Sequence, residues 1–220
     1  MNFSPTFFPE MGLWLGTLLY LPILLWAIWQ APWARLRDAC DAHVWLGSCV
    51  VLWLAWRLSA GITPGMEFHL LLMTTVTLMF GLPFAILSAS VAQLTLVLEG
   101  AASLYGYPLT VLINGVVPAL ITYVIYWLAY WWFPRHFFIY IYITAFVGAA
   151  IAMLMNRLLG LSLLLISDTY QLSQLGEQPL FIIVMLFPEA FINGLLMTIF
   201  VVYRPQWVSS FNDEQYLRNK

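Results

Sequence analysis

Charged residues are scarce in this chain of 220 residues: Asp, Glu, Lys and Arg make up only 8% of it, against about 25% in an ordinary soluble domain. Hydrophobic residues make up 63%. So few charges cannot cover a soluble fold that is this apolar, which excludes a cytosolic globular enzyme and a disordered chain. The net charge of −2 offers no basic surface to DNA or RNA, so no nucleic-acid partner is expected.

Cysteines and catalytic motifs are also few. Cys40 and Cys49 are the two cysteines, and their spacing matches neither a zinc motif nor a redox motif. The sequence contains no Walker A loop, so ATP hydrolysis is expected from a different chain. It contains neither an HExxH nor a GxSxG pattern, which are typical of zinc and serine hydrolases. We therefore do not expect an enzyme.

Long apolar runs fill most of the sequence. A membrane-spanning helix needs about 20 predominantly apolar residues, and reading for such runs predicts an all-α polytopic membrane protein with seven transmembrane helices. Gly81-Leu82-Pro83 divides the block 67–98 into two short helices. The predicted spans are 11–30, 42–58, 67–81, 83–98, 109–132, 137–157 and 180–203.

The basic residues predict the orientation, because cytoplasmic segments carry an excess of Lys and Arg. An outer N-terminus and an inner C-terminus place six of the eight basic residues inside. The inner residues are Arg35, Arg37, Arg135, Arg204, Arg218 and Lys220, and the outer ones are Arg57 and Arg157. The chain is then one integral domain of the inner (plasma) membrane over 1–220, with an outer segment 1–10, a seven-helix bundle 11–203 and a cytoplasmic interfacial tail 204–220.

An ionisable residue inside a span is costly to bury, so it indicates a functional role. Glu189 follows Pro188 inside the last predicted span, and Asn193 shares its helix face. Two interpretations are open. Glu189 is either an ion or proton site, as in a proton-linked carrier or a membrane enzyme, or a polar clamp that bonds neighbouring helices. Arg57 and Arg157 are placed at span boundaries, where such side chains extend to the interface, and either is a candidate partner for Glu189.

His69 has a metal-binding pattern around it. If a helix begins at this point, Met66, His69 and Met73 share one helix face, with Glu67 adjacent. Imidazole and thioether ligands suit copper or nickel rather than magnesium, although a methionine stripe is also typical of core packing. The predicted orientation puts the N-terminus on the same side, and the neutral α-amine of Met1 is a candidate nitrogen ligand because its pKa is only about 8.

Three motifs spread along the chain form one pattern. They are Gly65-Met-Glu-Phe-His69-Leu70 with Thr74/Thr75, Leu78 and Gly81-Leu82-Pro83; Asn114-Gly-Val-Val-Pro118 with Tyr123 and Tyr126; and Pro188-Glu189 with Asn193-Gly194. Together they resemble the substrate-capture membrane subunits, or S-components, of energy-coupling-factor ABC transporters for cobalt and nickel, the CbiM/NikM type. The similarity covers most of the chain.

The resemblance implies seven spans, an outer N-terminus and no ATPase activity in this chain. It implies two kinds of partner, an energy-coupling transmembrane subunit and cytoplasmic ATPases. It also implies that the transported metal ion is held by the N-terminal amine, by the backbone nitrogen and imidazole of residue 2, and by a histidine aligned with His69. Square-planar nitrogen ligation of this kind is typical of Ni(II) or Cu(II) and suits low-spin Co(II).

Position 2 departs from the family pattern. Asn2 stands where the family has a histidine, so one imidazole ligand is missing. Met66, Met73 or Glu67 would then complete a different site, with copper as a candidate ion. Alternatively, the chain no longer binds a metal in that way.

The sequence thus predicts a substrate-capture subunit for the uptake of a transition metal ion. The candidate residues are Met1, Asn2 and His69 as metal ligands, Met66, Met73 and Glu67 as further ligands, and Glu189, Asn193 and Asn114 in structural or coupling roles. Two other functions compete with this one: a carrier or enzyme centred on Glu189, and an accessory membrane subunit without a ligand.

Overall fold

The computed structural model describes residues 3, 8, 10–61, 67–167, 169–171, 176, 178–212 and 216. The structure is 80% helix, and within this part of the chain the strand-like pairing is one isolated antiparallel bridge between Ala60 and Phe68. The helices are α1 Glu10–Gln30, α2 Ala39–Arg57, α3 Met73–Phe80, α4 Leu82–Leu98, α5 Tyr107–Trp132, α6 Phe137–Ile166 and α7 Gln178–Tyr203. Widened π turns interrupt α5 at Leu112–Val116 and α6 at Tyr140–Val147.

Four of the described helices, α1, α5, α6 and α7, are long and apolar enough to cross a membrane. The 17-residue helix α4 is apolar but shorter. Large apolar side chains cover the outside of the bundle: Trp14 is 71% exposed and Ile183 is 64% exposed. Such a surface is stable in lipid and not in water, which confirms the prediction of an all-α membrane protein. The seven-span count and the orientation stay predictions.

Two predicted spans have the wrong bounds. The span predicted over 67–81 is helical only from Met73, because residues 67–72 form a non-helical segment, which we call the His69 segment. The span predicted to end at 157 continues to Ile166, because Leu158–Ile166 is apolar and extends the helix beyond Arg157.

The short helix α3 lies at the centre of the bundle. All eight of its residues are buried, and it packs against α4, α5, α6 and α7, whereas α2 packs chiefly against α4. At 1.5 Å per residue α3 is about 12 Å long, which is less than half of the thickness of a bilayer hydrocarbon core, roughly 30 Å.

Both ends of α3 have left-handed backbone, at Leu72 (φ 54°) and Gly81 (φ 82°). The last four carbonyls of a helix lack hydrogen-bond partners within the helix. In α3, two of these carbonyls accept hydrogen bonds from amides of the segment after α7. The amide of Ser209 donates to the carbonyl of Met79 at 3.0 Å, and the amide of Ser210 donates to that of Leu78 at 3.2 Å. The segment after α7 therefore caps α3.

Candidate metal site

The His69 segment has non-helical backbone at membrane depth, where each polar group needs a partner inside the protein. Arg157 of α6 donates hydrogen bonds to two carbonyls of the segment. Its Nη1 lies 2.9 Å from the carbonyl oxygen of Glu67, and its Nη2 lies 3.4 Å from that of His69. The indole nitrogen of Trp56 in α2 donates to the carbonyl of Leu71 at 3.1 Å. Side chains from two different helices thus donate hydrogen bonds to backbone carbonyls of this segment.

The amides at the end of the segment are held from α7. The Glu189 carboxylate accepts from the amide of Leu71 at 2.8 Å and from that of Leu72 at 2.9 Å. Asn193, one turn later, donates to the same carboxylate at 2.8 Å and accepts from the amide of Thr75 at 2.9 Å. Glu189 and Asn193 are buried, so they act as a cap on the start of α3, where helix amides have no partner of their own.

Of the two arginines predicted at span boundaries, Arg57 is the last residue of α2, whereas α6 continues past Arg157. Arg157 is fully buried, so its placement at a span boundary was wrong, because α6 continues past it. Arg57 forms an ion pair with Glu99, with Nε 3.4 Å from a carboxylate oxygen. Neither arginine is within ion-pair distance of Glu189; Arg157 bonds backbone carbonyls instead, and its guanidinium lies 4.8 Å from the centre of the Phe68 ring.

His69 lies at a cavity of about 120 Å³. Its ring is 6% exposed and its centre lies 5.7 Å from that of Trp56. Nδ1 lies 3.2 Å from the carbonyl of Leu70. In the neutral tautomer that donates from Nδ1 to this carbonyl, Nε2 carries the lone pair that a metal ion needs. The cavity is lined by Trp56, Arg57, Ser59, Glu67, His69, Gln93, Leu96, Ala101 and Asn114.

Asn114 forms part of the wall of this cavity. It lies in the widened turn of α5, a helix irregularity that is frequent at functional sites. Its side-chain oxygen accepts from Asn156 of α6 at 3.1 Å. At the next residue, Gly115, an added Cβ would lie 2.4 Å from the Cβ of Ala89. Glycine therefore lets α5 approach α4 closely at the depth of the cavity.

The beginning of the chain is anchored close to this wall. Phe3 is fully buried, and its amide donates to the hydroxyl of Thr110 at 3.3 Å. The Phe3 ring lies edge-to-face on Phe8 at 5.2 Å between ring centres. Thr110 precedes Asn114 by about one helical turn. The anchor point of Phe3 and the cavity wall are thus successive turns of α5.

The predicted ligands are distributed unevenly. His69, Glu67 and Asn114 line one cavity. Met73 is fully buried as the first residue of α3 and does not line that cavity. The predicted helix face shared by Met66, His69 and Met73 is wrong in its described part, because His69 is in non-helical backbone. Met1, Asn2 and Met66 lie outside the described residues.

Sequence reasoning did not find three residues of the site. Gln93, the single amide side chain in apolar α4, could have been found from that contrast. Arg157 was noted, but its burial follows only from the continuation of α6. Thr110 gave no signal, because its role depends on a residue 107 positions earlier. Within the part of the chain that the structure describes, no three His, Cys, Asp or Glu side chains cluster as a metal site.

One family model matches the chain. It is described as cobalt uptake substrate-specific transmembrane region, CbiM, and it covers residues 2–207. No curated protein and no solved structure matches.

Proposed function

Because the chain belongs to the CbiM family of cobalt uptake substrate-specific transmembrane regions, we propose that it captures a transition metal ion for uptake into the cell, with cobalt as the first candidate. Nickel and copper are the alternatives. The metal ion is the transported substrate. ATP hydrolysis belongs to cytoplasmic ATPases, which act with an energy-coupling transmembrane subunit. In this proposal the N-terminus is outside, the C-terminus is inside, and the bundle lies in the inner membrane.

The ion binds at the His69 cavity, and the anchored Phe3 is the observation that carries this proposal. The amide of Phe3 is fixed on Thr110, one turn from the cavity wall at Asn114. Two residues precede Phe3, and their full reach is about 7 Å. The amine of Met1 and the backbone nitrogen of Asn2 are therefore within chain reach of the cavity, where Nε2 of His69 supplies a third nitrogen.

Glu67 is the most direct candidate to complete the ligand set in the absence of a histidine at position 2. It lines the same cavity as His69. A carboxylate in place of an imidazole gives a harder ligand set, which favours cobalt over copper relative to an all-nitrogen square plane. Met73 is a weaker candidate, because it packs in the core behind the cavity.

Metal binding to the purified full-length protein tests the site. We expect His69→Ala to weaken the binding of Co²⁺ by at least about 100-fold, since loss of even a residue that supports a ligand costs 10- to 100-fold. His136→Ala is the matched control, because His136 lies between α5 and α6 and caps Phe138. If the affinities for cobalt, nickel and copper are unchanged in His69→Ala, the proposed site is wrong.

The N-terminal ligands need a separate test. Asn2→His restores the histidine of the family pattern and is expected to raise Ni²⁺ affinity in the protein that contains His69. The same substitution in the His69→Ala background is expected to have a much smaller effect. A Gly-Ser extension before Met1 should weaken binding, whereas the same extension after Lys220 should not. Equal affinities with and without the N-terminal extension would exclude the amine as a ligand.

The partner proposal is tested by uptake of labelled cobalt into cells. We expect uptake only when a coupling subunit and its ATPases are expressed with this chain, and we expect loss of uptake when the ATPases are inactivated. Uptake that depends on a proton gradient and is indifferent to the ATPases would favour a Glu189-centred carrier instead.

A further inference from the structure

A second, apolar groove lies between α2 and α7, with α3 as its floor. We call it the α2–α7 groove. It is lined by His43, Val44, Gly47, Ser48, Val51, Leu52, Leu72, Thr75, Val76, Met79, Leu196, Phe200 and Trp207. α2 packs chiefly on α4, and α7 packs chiefly on α6 and the widened turn of α6. The space between α2 and α7 is therefore left open as a groove. It does not share a lining residue with the His69 cavity.

The groove is long and narrow. On α2 it runs from His43 to Leu52, which is about 13 Å at 1.5 Å per residue. The volume of the groove is about 420 Å³. Most of its lining residues are apolar, which suits a hydrocarbon chain.

The end of the groove near the end of α7 is polar and positively charged. Trp207 lines the groove there, and the guanidinium of Arg204 lies 5.9 Å from its ring centre. Nη2 of Arg35 donates to the Trp207 carbonyl at 3.4 Å, and Arg35 is neutralised by Asp41, with Nε 2.9 Å from its carboxylate. Among the described residues Arg204 forms no ion pair, and it is exposed.

An apolar groove with an exposed arginine at its end matches a lipid that has a long hydrocarbon chain and an anionic headgroup. The cation stands directly after the last residue of α7, where a membrane helix meets the headgroup layer. We propose that the α2–α7 groove binds an acyl chain of an anionic phospholipid, whose phosphate lies beside Arg204. This lipid site is independent of the metal site and of the proposed transport function.

Native mass spectrometry of the purified full-length protein tests the proposal, with palmitoyl-oleoyl phosphatidylglycerol and palmitoyl-oleoyl phosphatidylcholine as probes. We expect one retained phosphatidylglycerol and a preference over phosphatidylcholine of about fivefold, which one arginine near an anionic headgroup provides. Equal retention of the two lipids by the wild-type protein would overturn the proposal.

Two matched pairs of variants locate the lipid. Gly47→Leu fills the groove, where an added Cβ meets nothing within 4 Å, and is expected to lower retention of both lipids. Val50→Leu, on the same helix but outside the groove, should leave retention unchanged. Arg204→Gln should abolish the preference for phosphatidylglycerol, whereas Arg135→Gln, which removes an arginine that stacks on Tyr130, should not. If Gly47→Leu retains the lipid, or if a copurified coupling subunit displaces it, the groove is not a lipid site.

Discussion

Replacement of Glu189 with glutamine perturbs the link between α7 and the start of α3. The carboxylate accepts from the amides of Leu71 and Leu72, at 2.8 and 2.9 Å, and from Asn193 at 2.8 Å. A glutamine has one carbonyl oxygen and one NH₂ group, so one of the two backbone amides then faces another donor. Neither amide can turn to solvent, since Leu71 is 1% and Leu72 is 6% exposed. Glu189→Gln therefore leaves two donors without acceptors.

The cost follows from the burial of these groups. An unsatisfied buried polar group costs about 1–3 kcal/mol, so the two donors cost about 2–6 kcal/mol. Removal of the buried charge offsets part of this loss of stability, because desolvation of a carboxylate is itself unfavourable. We expect a net loss of about 2 kcal/mol in the free energy of unfolding. For a chain of this size each kcal/mol lowers Tm by about 2–4 °C, so Tm should fall by about 4–8 °C.

Tryptophan fluorescence during heating of the purified protein measures this shift. Glu99→Gln is the control, because it removes the carboxylate of a partly exposed ion pair, worth about 0–1 kcal/mol. Cobalt affinity should fall together with Tm in Glu189→Gln, since the same amides hold the His69 segment. The reasoning is refuted if Glu189→Gln keeps the wild-type Tm and cobalt affinity but loses uptake, which is the behaviour of a proton-linked carrier.

Three further predictions concern neighbouring contacts. Arg157→Met should weaken cobalt binding at least about tenfold, because it leaves carbonyls of the His69 segment without donors, whereas Arg135→Met, at an arginine that stacks on Tyr130 and does not line the cavity, should not; equal titration curves would contradict this. Gly115→Ala is expected to lower unfolding stability by about 1–3 kcal/mol through overpacking, and Ala89→Gly in the same chain should restore Tm; no loss in the single variant would show that α4 and α5 can separate. Ser210→Ala removes a hydroxyl bond to α3, worth about 1 kcal/mol, so proteases should cut the C-terminal segment faster, and an unchanged cleavage rate would count against this cap.

The long helices were predictable because apolar runs of about 20 residues have few other stable structures. The run predicted over 180–203 is α7, Gln178–Tyr203, and the run predicted over 109–132 is α5, Tyr107–Trp132. Errors arose where a charge was taken as a boundary. Arg157 lies in the middle of α6, since the protein interior supplies acceptors that the sequence does not reveal.

The His69 segment could not be predicted from local sequence. Its apolar composition suits a helix, and a helix would satisfy its own backbone. The observed non-helical backbone is stable because its amides and carbonyls form hydrogen bonds with side chains that are far away in sequence: Glu189 is 118 positions from Leu71, and Arg157 is 90 positions from Glu67. Periodicity reports on neighbours within a few residues, so it contains no information on such bonds.

Burial of both Arg157 and Glu189 is explained by the backbone they hold rather than by attraction to each other. A continuous helix in place of the His69 segment would need neither charge, and burying charges is costly. The two residues support a segment that cannot satisfy itself, and they do so from different helices, α6 and α7. The position of the His69 imidazole therefore depends on the relative placement of α6 and α7. A shift between these helices is therefore expected to move the His69 imidazole, and under the proposed function a coupling partner that displaces α7 relative to α6 would weaken metal binding.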